Sequence, residues 1–185
     1  MNDPGDTERE LQRLDDLYRA KARAEVDAAE KLATGTGVVR GQGDVLADVL
    51  LVKGEPGPGD LAKKRALAGE DGSAIGRALD ALGVSSARYA VCTRVGATGR
   101  KRLTRLRLLT EAIDPRIVVL LDAQAAEDFA AAYGVVRPAA GSPGHVLGRV
   151  VLAVDDFEAS LGDETRKRQV WAQLRTLRAP DRSWG

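Results

Sequence analysis

With 185 residues, 44% of them hydrophobic and 30% charged, the chain is long enough for one well-buried domain and short for two. Its 28 basic and 27 acidic side chains leave a formal net charge of +1, which excludes a global field that would draw the molecule onto nucleic acid or anionic lipid, so any such contact has to come from a local patch. A single cysteine, Cys92, and a single histidine, His145, exclude an intramolecular disulfide and a multi-thiolate metal site and argue against histidine-based zinc. The expectation is a reduced, cytoplasmic protein with no metal and no cofactor, and with no membrane contact, because no window approaches the roughly 20 apolar residues of a spanning helix.

Residues 7–33 place Leu11, Leu14, Tyr18, Ala22, Val26, Ala29 and Leu32 at three- and four-residue spacings, which predicts one long amphipathic helix packed on the domain. Residues 47–52 read as a buried strand. It stops at Gly54-Glu55-Pro56-Gly57-Pro58-Gly59, a stretch that no helix or central strand accommodates and that therefore reads as a loop. Ile75, Leu79 and Leu82 then give a helical face over 73–82, closed by Gly83. Residues 88–93 form a second strand. A basic loop and helix follow, with Leu103, Leu106 and Leu109 facing inward, and residues 116–121 form a third strand whose unbroken apolar run suits cover on both faces.

Asp122 is the expected N-cap of a helix carrying Ala125, Ala126, Phe129 and Tyr133 and ended by Gly134. The Pro/Gly-rich residues 137–148 read as loop with His145 on its surface, and 149–154 as a fourth strand. The last helix, over 163–177, presents Val170, Trp171, Leu174 and Leu177, with Trp171 as a core anchor and Trp184 in a tail. Strands alternating with helices predict an α/β fold, a three-layer α/β/α sandwich with a central four-stranded parallel sheet. The expected organisation is a helix over 1–33, a domain over 34–177 and a tail over 178–185.

Each feature that carries chemistry also has a plain structural reading. Residues 54–60 would cradle a phosphate through backbone amides or simply form a tight turn, matching neither a P-loop nor a dinucleotide fingerprint. The run from Arg94 to Arg107 is a phosphate-contacting surface or a solvated helix face, and Lys63, Lys64 and Arg65 extend its charge or sit in a soluble loop. Asp155 and Asp156 offer a paired-carboxylate site with Glu55, or cap the element that follows.

Several segments also follow one another in a recognisable order. These are Val39-x-Gly41-Gln42-Gly43, the strand running into Gly54-Glu55-Pro56-Gly57, Gly69-x-x-Gly72 before the Ile75/Leu79 helix, Tyr89-Ala90-Val91-Cys92, Ile113-Asp114-Pro115-Arg116-Ile117-Val118, and Lys167-Arg168-x-Val170-Trp171-x-x-Leu174. Together, over about residues 34–177, they resemble the family 4 branch of the uracil-DNA glycosylase superfamily. The resemblance implies a flipped uracil nucleotide stacked on an aromatic ring and read by an amide. Positive charge developing on the sugar is stabilised by a carboxylate of the first motif, and negative charge on the departing base by a histidine of the last.

The resemblance places Glu55, Asp60 and Asp155 at catalytic positions and Gly54, Pro56, Gly57, Leu67, Cys92 and Asp156 in the pocket. The chemistry at those positions has changed. The acid and the proline of Gly54-Glu55-Pro56-Gly57 are one residue closer than in the family, Leu67 stands for the stacking phenylalanine, and Cys92 for the reading asparagine. Asp155-Asp156-Phe157 replaces the histidine motif with groups that repel an anion, and one cysteine cannot hold the family's iron–sulfur cluster. The resemblance therefore implies a catalytically inactive module that binds DNA or a DNA-repair partner through a local basic patch of Lys63, Lys64, Arg65, Arg100, Lys101, Arg102 and Arg105. The alternatives are a glycosylase or hydrolase on a different base or nucleoside, using Glu55 or Asp60 with Asp155, and a protein-interaction scaffold led by the N-terminal helix without nucleic-acid contact.

Overall fold

Val49-Leu50-Leu51-Val52 is apolar on both faces of the pleat, so the strand it forms has to be covered on both sides. In the structure, a computed structural model that describes residues 4–178, that strand is β2 (Val49–Lys53), and every one of its residues is buried. It lies parallel between β3 (Arg88–Cys92) and β4 (Ile117–Leu120), and β4 in turn pairs in parallel with β6 (Arg149–Ala153). Antiparallel edges close both sides: β1 (Gln42–Gly43) on β3, and β5 (Gly144–Val146) on β6. The sheet is thus six-stranded and mixed, in the order β1-β3-β2-β4-β6-β5, within the general α/β class.

Strand alternation sends Leu50, Val52, Val118, Leu120 and Val151 to one face. There they pack with Val26 of α1 (Pro4–Glu30), Leu106 and Leu109 of α4 (Gly99–Ile113) and Phe129 of α5 (Ala123–Tyr133). Val49, Leu51, Val119, Leu121 and Leu152 face the other way. They meet Ile75 and Leu79 of α3 (Glu70–Ala81), Phe157 of α6 (Phe157–Ser160) and Val170 and Leu174 of α7 (Glu164–Leu174). Each such fully buried aliphatic side chain contributes about 1.5–3 kcal/mol by leaving water.

Beyond the sheet itself, which is six-stranded and mixed where four parallel strands were expected, four details differ from the sequence reading, each for a physical reason. Residues 144–146 are strand rather than loop, because Val146 pairs with Arg149 across a two-residue turn in which Leu147 (φ 49°) and Gly148 (φ 81°) are both left-handed. The loop after β2 turns helical at α2 (Pro58–Lys63), where proline is preset for a first helical turn. Trp171 is 37% exposed; Val170, Leu174 and Leu177 carry the packing of that segment instead. Only the second half of α1 packs on the domain, through Ala22, Val26 and Ala29 against α4, while Leu11, Leu14, Leu17 and Tyr18 stand exposed because the helix runs beyond α4. Trp184 and the expected tail beyond Arg178 lie outside the described residues. No described helix is long and apolar enough to cross a membrane.

Candidate functional site

The chain passes from β2 outward to β3 on one side and then crosses to β4 and β6 on the other. Strand order therefore reverses between β2 and β4, the place where α/β sheets open a crevice beyond their carboxyl ends. A cavity of about 480 Å³ lies there, walled by the ends of β2, β4 and β6 and by the segment around Arg137 and Pro138. Its carboxylates are Glu55, Asp71, Asp122, Asp155, Asp156 and Glu158, set against two cations, Lys53 and Arg137.

Lys53 ends an otherwise apolar strand, and its buried ammonium is held by three acids. Nζ lies 3.2 Å from Asp60 Oδ2, 2.6 Å from Asp71 Oδ2 and 2.8 Å from Glu158 Oε2. The acids sit in the first turns of α2, α3 and α6, where the helix dipole favours negative charge. Burial alone would pull the Lys53 pKa down, but hydrogen bonds to Asp71 and Glu158 and the charges of Asp71 and Asp60 outweigh it and raise it.

Asp60 is fully enclosed and does not line the cavity. Its carboxylate accepts from Gly57 N at 2.9 Å and Ala68 N at 2.8 Å as well as from Lys53, which makes it a clamp on the loop rather than a group presented to a ligand. Asp122 joins the two central strands: Oδ1 accepts from Ala125 N at 2.7 Å, capping α5, and Oδ2 accepts from Gly54 N at 2.8 Å. A side chain at Gly54 would collide with Gln124, its Cβ falling 2.5 Å from Gln124 Cβ. One at Gly57 would fall 2.6 Å from Glu158 Oε1.

Glu55 is exposed at the cavity mouth, with Pro56 half-buried behind it. Leu67 lines the cavity with an aliphatic side chain from a left-handed backbone at φ 51°, a conformation costing about 1–2 kcal/mol outside glycine. Gly72 packs directly beneath it, where a Cβ would lie 1.8 Å from the Leu67 carbonyl oxygen. Asp155 is tied to α7: Oδ2 accepts from Gln169 Nε2 at 2.5 Å and Gln173 Nε2 at 2.6 Å, and its own N–H donates to Gln173 Oε1 at 2.9 Å. Asp156 caps α6 by accepting from Ala159 N at 3.0 Å, the plain reading of that acid pair. Cys92 is buried away from the cavity lining; burial, then the charge of Asp60, pushes its thiol pKa up. Among the described residues, no group of three or more His, Cys, Asp or Glu is placed to hold a metal ion.

The basic patch divides. Lys63, Lys64 and Arg65 are exposed at the end of α2, and Arg100 and Lys101 in the first turn of α4. A bridge between Arg40 and Arg65 brings the α2 end beside the approach to β1, at the carboxyl end of β3 from which α4 departs. Arg102 is partly buried and pairs with Asp128 at 3.2 Å.

Arg105, expected to contact DNA, does not reach the surface. It is 1% exposed, its Nη2 is 2.9 Å from both carboxylate oxygens of Glu30, and its Nη1 donates to the Cys92 carbonyl at 2.8 Å. It shares the inward face of α4 with Leu106 and Leu109.

Sequence reasoning missed Lys53 and Glu30. The available signal was a lone charge at the edge of an apolar pattern, a lysine closing the Val49–Val52 run and a glutamate following Val26 and Ala29. No family model matches this chain, and no curated protein is found to be similar to it.

Proposed function

We propose that the chain is a catalytically inactive, cytoplasmic protein of uracil-DNA glycosylase type, a three-layer sandwich that binds DNA through its basic rim. The parallel run β3-β2-β4-β6, with apolar cores on both of its faces, supports that architecture. The carrying observation is the division of charge along the carboxyl end of the sheet. Exposed Lys64 and Arg65 follow α2 and exposed Arg100 and Lys101 open α4, while both cations of the cavity are already engaged, Lys53 by three acids and Arg137 by Glu127 at 3.6 Å. Phosphates are met by the rim. A departing uracilate in the cavity would face Asp155, a carboxylate where a donor is needed, and the loss of one such donor alone costs about 3–4 kcal/mol of transition-state stabilisation.

The test is fluorescence anisotropy with short duplexes at several salt concentrations. Binding is expected to fall steeply with salt and to be equal for duplexes with and without uracil. Combining Arg100→Glu, Lys101→Glu and Lys64→Glu should weaken it at least tenfold. A salt-independent or absent signal at low ionic strength defeats the reading, and so does release of free uracil.

Glu55 favours a second reading: among the described residues its carboxylate has no hydrogen-bond or ion-pair partner where it lines the cavity, which leaves it available to accept a proton as a general base acting on another base or nucleoside. A screen of modified-base oligonucleotides that finds turnover abolished by Glu55→Gln would establish that alternative.

A further inference from the structure

The projecting half of α1 carries a pattern that reads the same in both directions. Glu10, Leu14, Leu17 and Lys21 fall at steps of four, three and four residues, which puts them on one line along the helix, and all four are exposed, Leu14 by 47% and Leu17 by 60%. The spacing is symmetric and the charge is not: the line begins with an acid and ends with a base. We propose that this face pairs antiparallel with the same face of a second copy of the chain.

In that arrangement Leu14 of one copy lies on Leu17 of the other, and the reverse, while Glu10 meets Lys21 at both ends. It is a self-complementary contact around a two-fold axis. A parallel pair would instead stack like charges. Leu11 (62% exposed) and Tyr18 (66%) border the line on one side, so reversal brings the ring of one copy toward the leucine of the other. Beyond Lys21 the same line continues through Ala24 and Ala28, which are exposed and small enough to let the start of the partner helix lie close. Lys21 already contacts Glu25 at 2.9 Å, a solvent-exposed pair one turn away that contributes little and leaves ammonium donors for Glu10 of the other copy.

Sedimentation equilibrium over a concentration series tests this. The wild type should approach twice the mass of one chain, and Leu14→Asp with Leu17→Asp should be monomeric with its helix content by circular dichroism unchanged. Glu10→Lys and Lys21→Glu each turn two attractive contacts into repulsive ones, so each alone should raise the dimer dissociation constant about tenfold. An equimolar mixture of the two variants should return to the wild-type value, because in the mixed dimer opposite charges face each other again at both ends of the line. A wild type that stays monomeric at its highest attainable concentration overturns the proposal, as does a dimer indifferent to the leucine changes or a mixture no tighter than its components.

Discussion

Arg105 and Lys53 are both buried cations at the same end of the sheet, yet they are balanced differently. Arg105 faces one carboxylate, Glu30, and a carbonyl, an arrangement that fastens α4 to α1 and β3. Lys53 faces three carboxylates, one of which, Glu158, keeps 46% of its side chain in solvent beside the cavity. Around Glu30 there is no surplus of carboxylates, since Arg40 also stands 3.6 Å away. An excess of negative charge needs solvent, and the cavity mouth supplies it. The contrast separates a fastening from a site whose field is felt by whatever enters, and it makes the cavity hostile to an anionic leaving group.

The largest expected effect comes from removing the cation with the most acids around it. Lys53→Met should cost about 3–5 kcal/mol in chemical denaturation, since Asp60 and Asp71 are left buried with backbone donors but no cation. Arg105→Met should cost less, about 2–3 kcal/mol, because Arg40 already stands 3.6 Å from Glu30 and donates to its carbonyl, so the orphaned acid keeps a partner. Equal losses in the two variants would erase the distinction.

Asp122→Ala, which removes both the α5 cap and the acceptor for Gly54, should cost about 1–2 kcal/mol by the same measurement. A further effect is confined to alkali. Tyr89, raised to about 12 by burial and then by the charge of Glu30, and Tyr133, raised to about 12 by burial and then by its hydrogen bond to Glu111, stay protonated in the fold while the unfolded phenols ionise from pH 10.0. Both raised groups favour the folded state below that value. Their contribution should fade as pH climbs from 10.0 toward about 12, visible as phenolate absorbance rising together with unfolding.

The strand segments at 49–53, 88–92, 117–120 and 149–153, the Asp122 cap and the Gly134 stop could be read from the chain because each depends on local pattern: runs of branched apolar residues, an N-cap, a left-handed glycine. What escaped depends on residues far apart. Arg105 looks like its surface neighbours Arg100 and Lys101 until Glu30, 75 positions earlier, is laid against it. Lys53 looks like a strand end until three helix starts converge on it. The edge strand β5 was hidden by a Leu147-Gly148 turn lacking the asparagine or aspartate that usually announces such a hairpin. The stripe on α1 gave the helix but not where its support would end, because periodicity records a face and not the size of what lies beneath it. At the cavity, Glu55, Leu67, Asp155 and Asp156 were readable as positions on the wall. The tie of Asp155 to Gln169 and Gln173 of α7 was not.

The loop that follows β2 leaves very little room for variation. Gly54 is fixed by Gln124 and Asp122, Gly59 by the backbone of Gly69, whose Cα lies 2.7 Å from where a Cβ would stand, and a side chain at Gly57 would have to push aside the Glu158 carboxylate and the Lys53 ammonium that pair with each other. Glu55 and Pro58 are the exposed positions in that run, and of the two only Glu55 lines the cavity. A lineage retuning this crevice from within the loop would therefore have a single dial to turn, and comparing the residue at that one point among relatives would show what the crevice has been asked to hold.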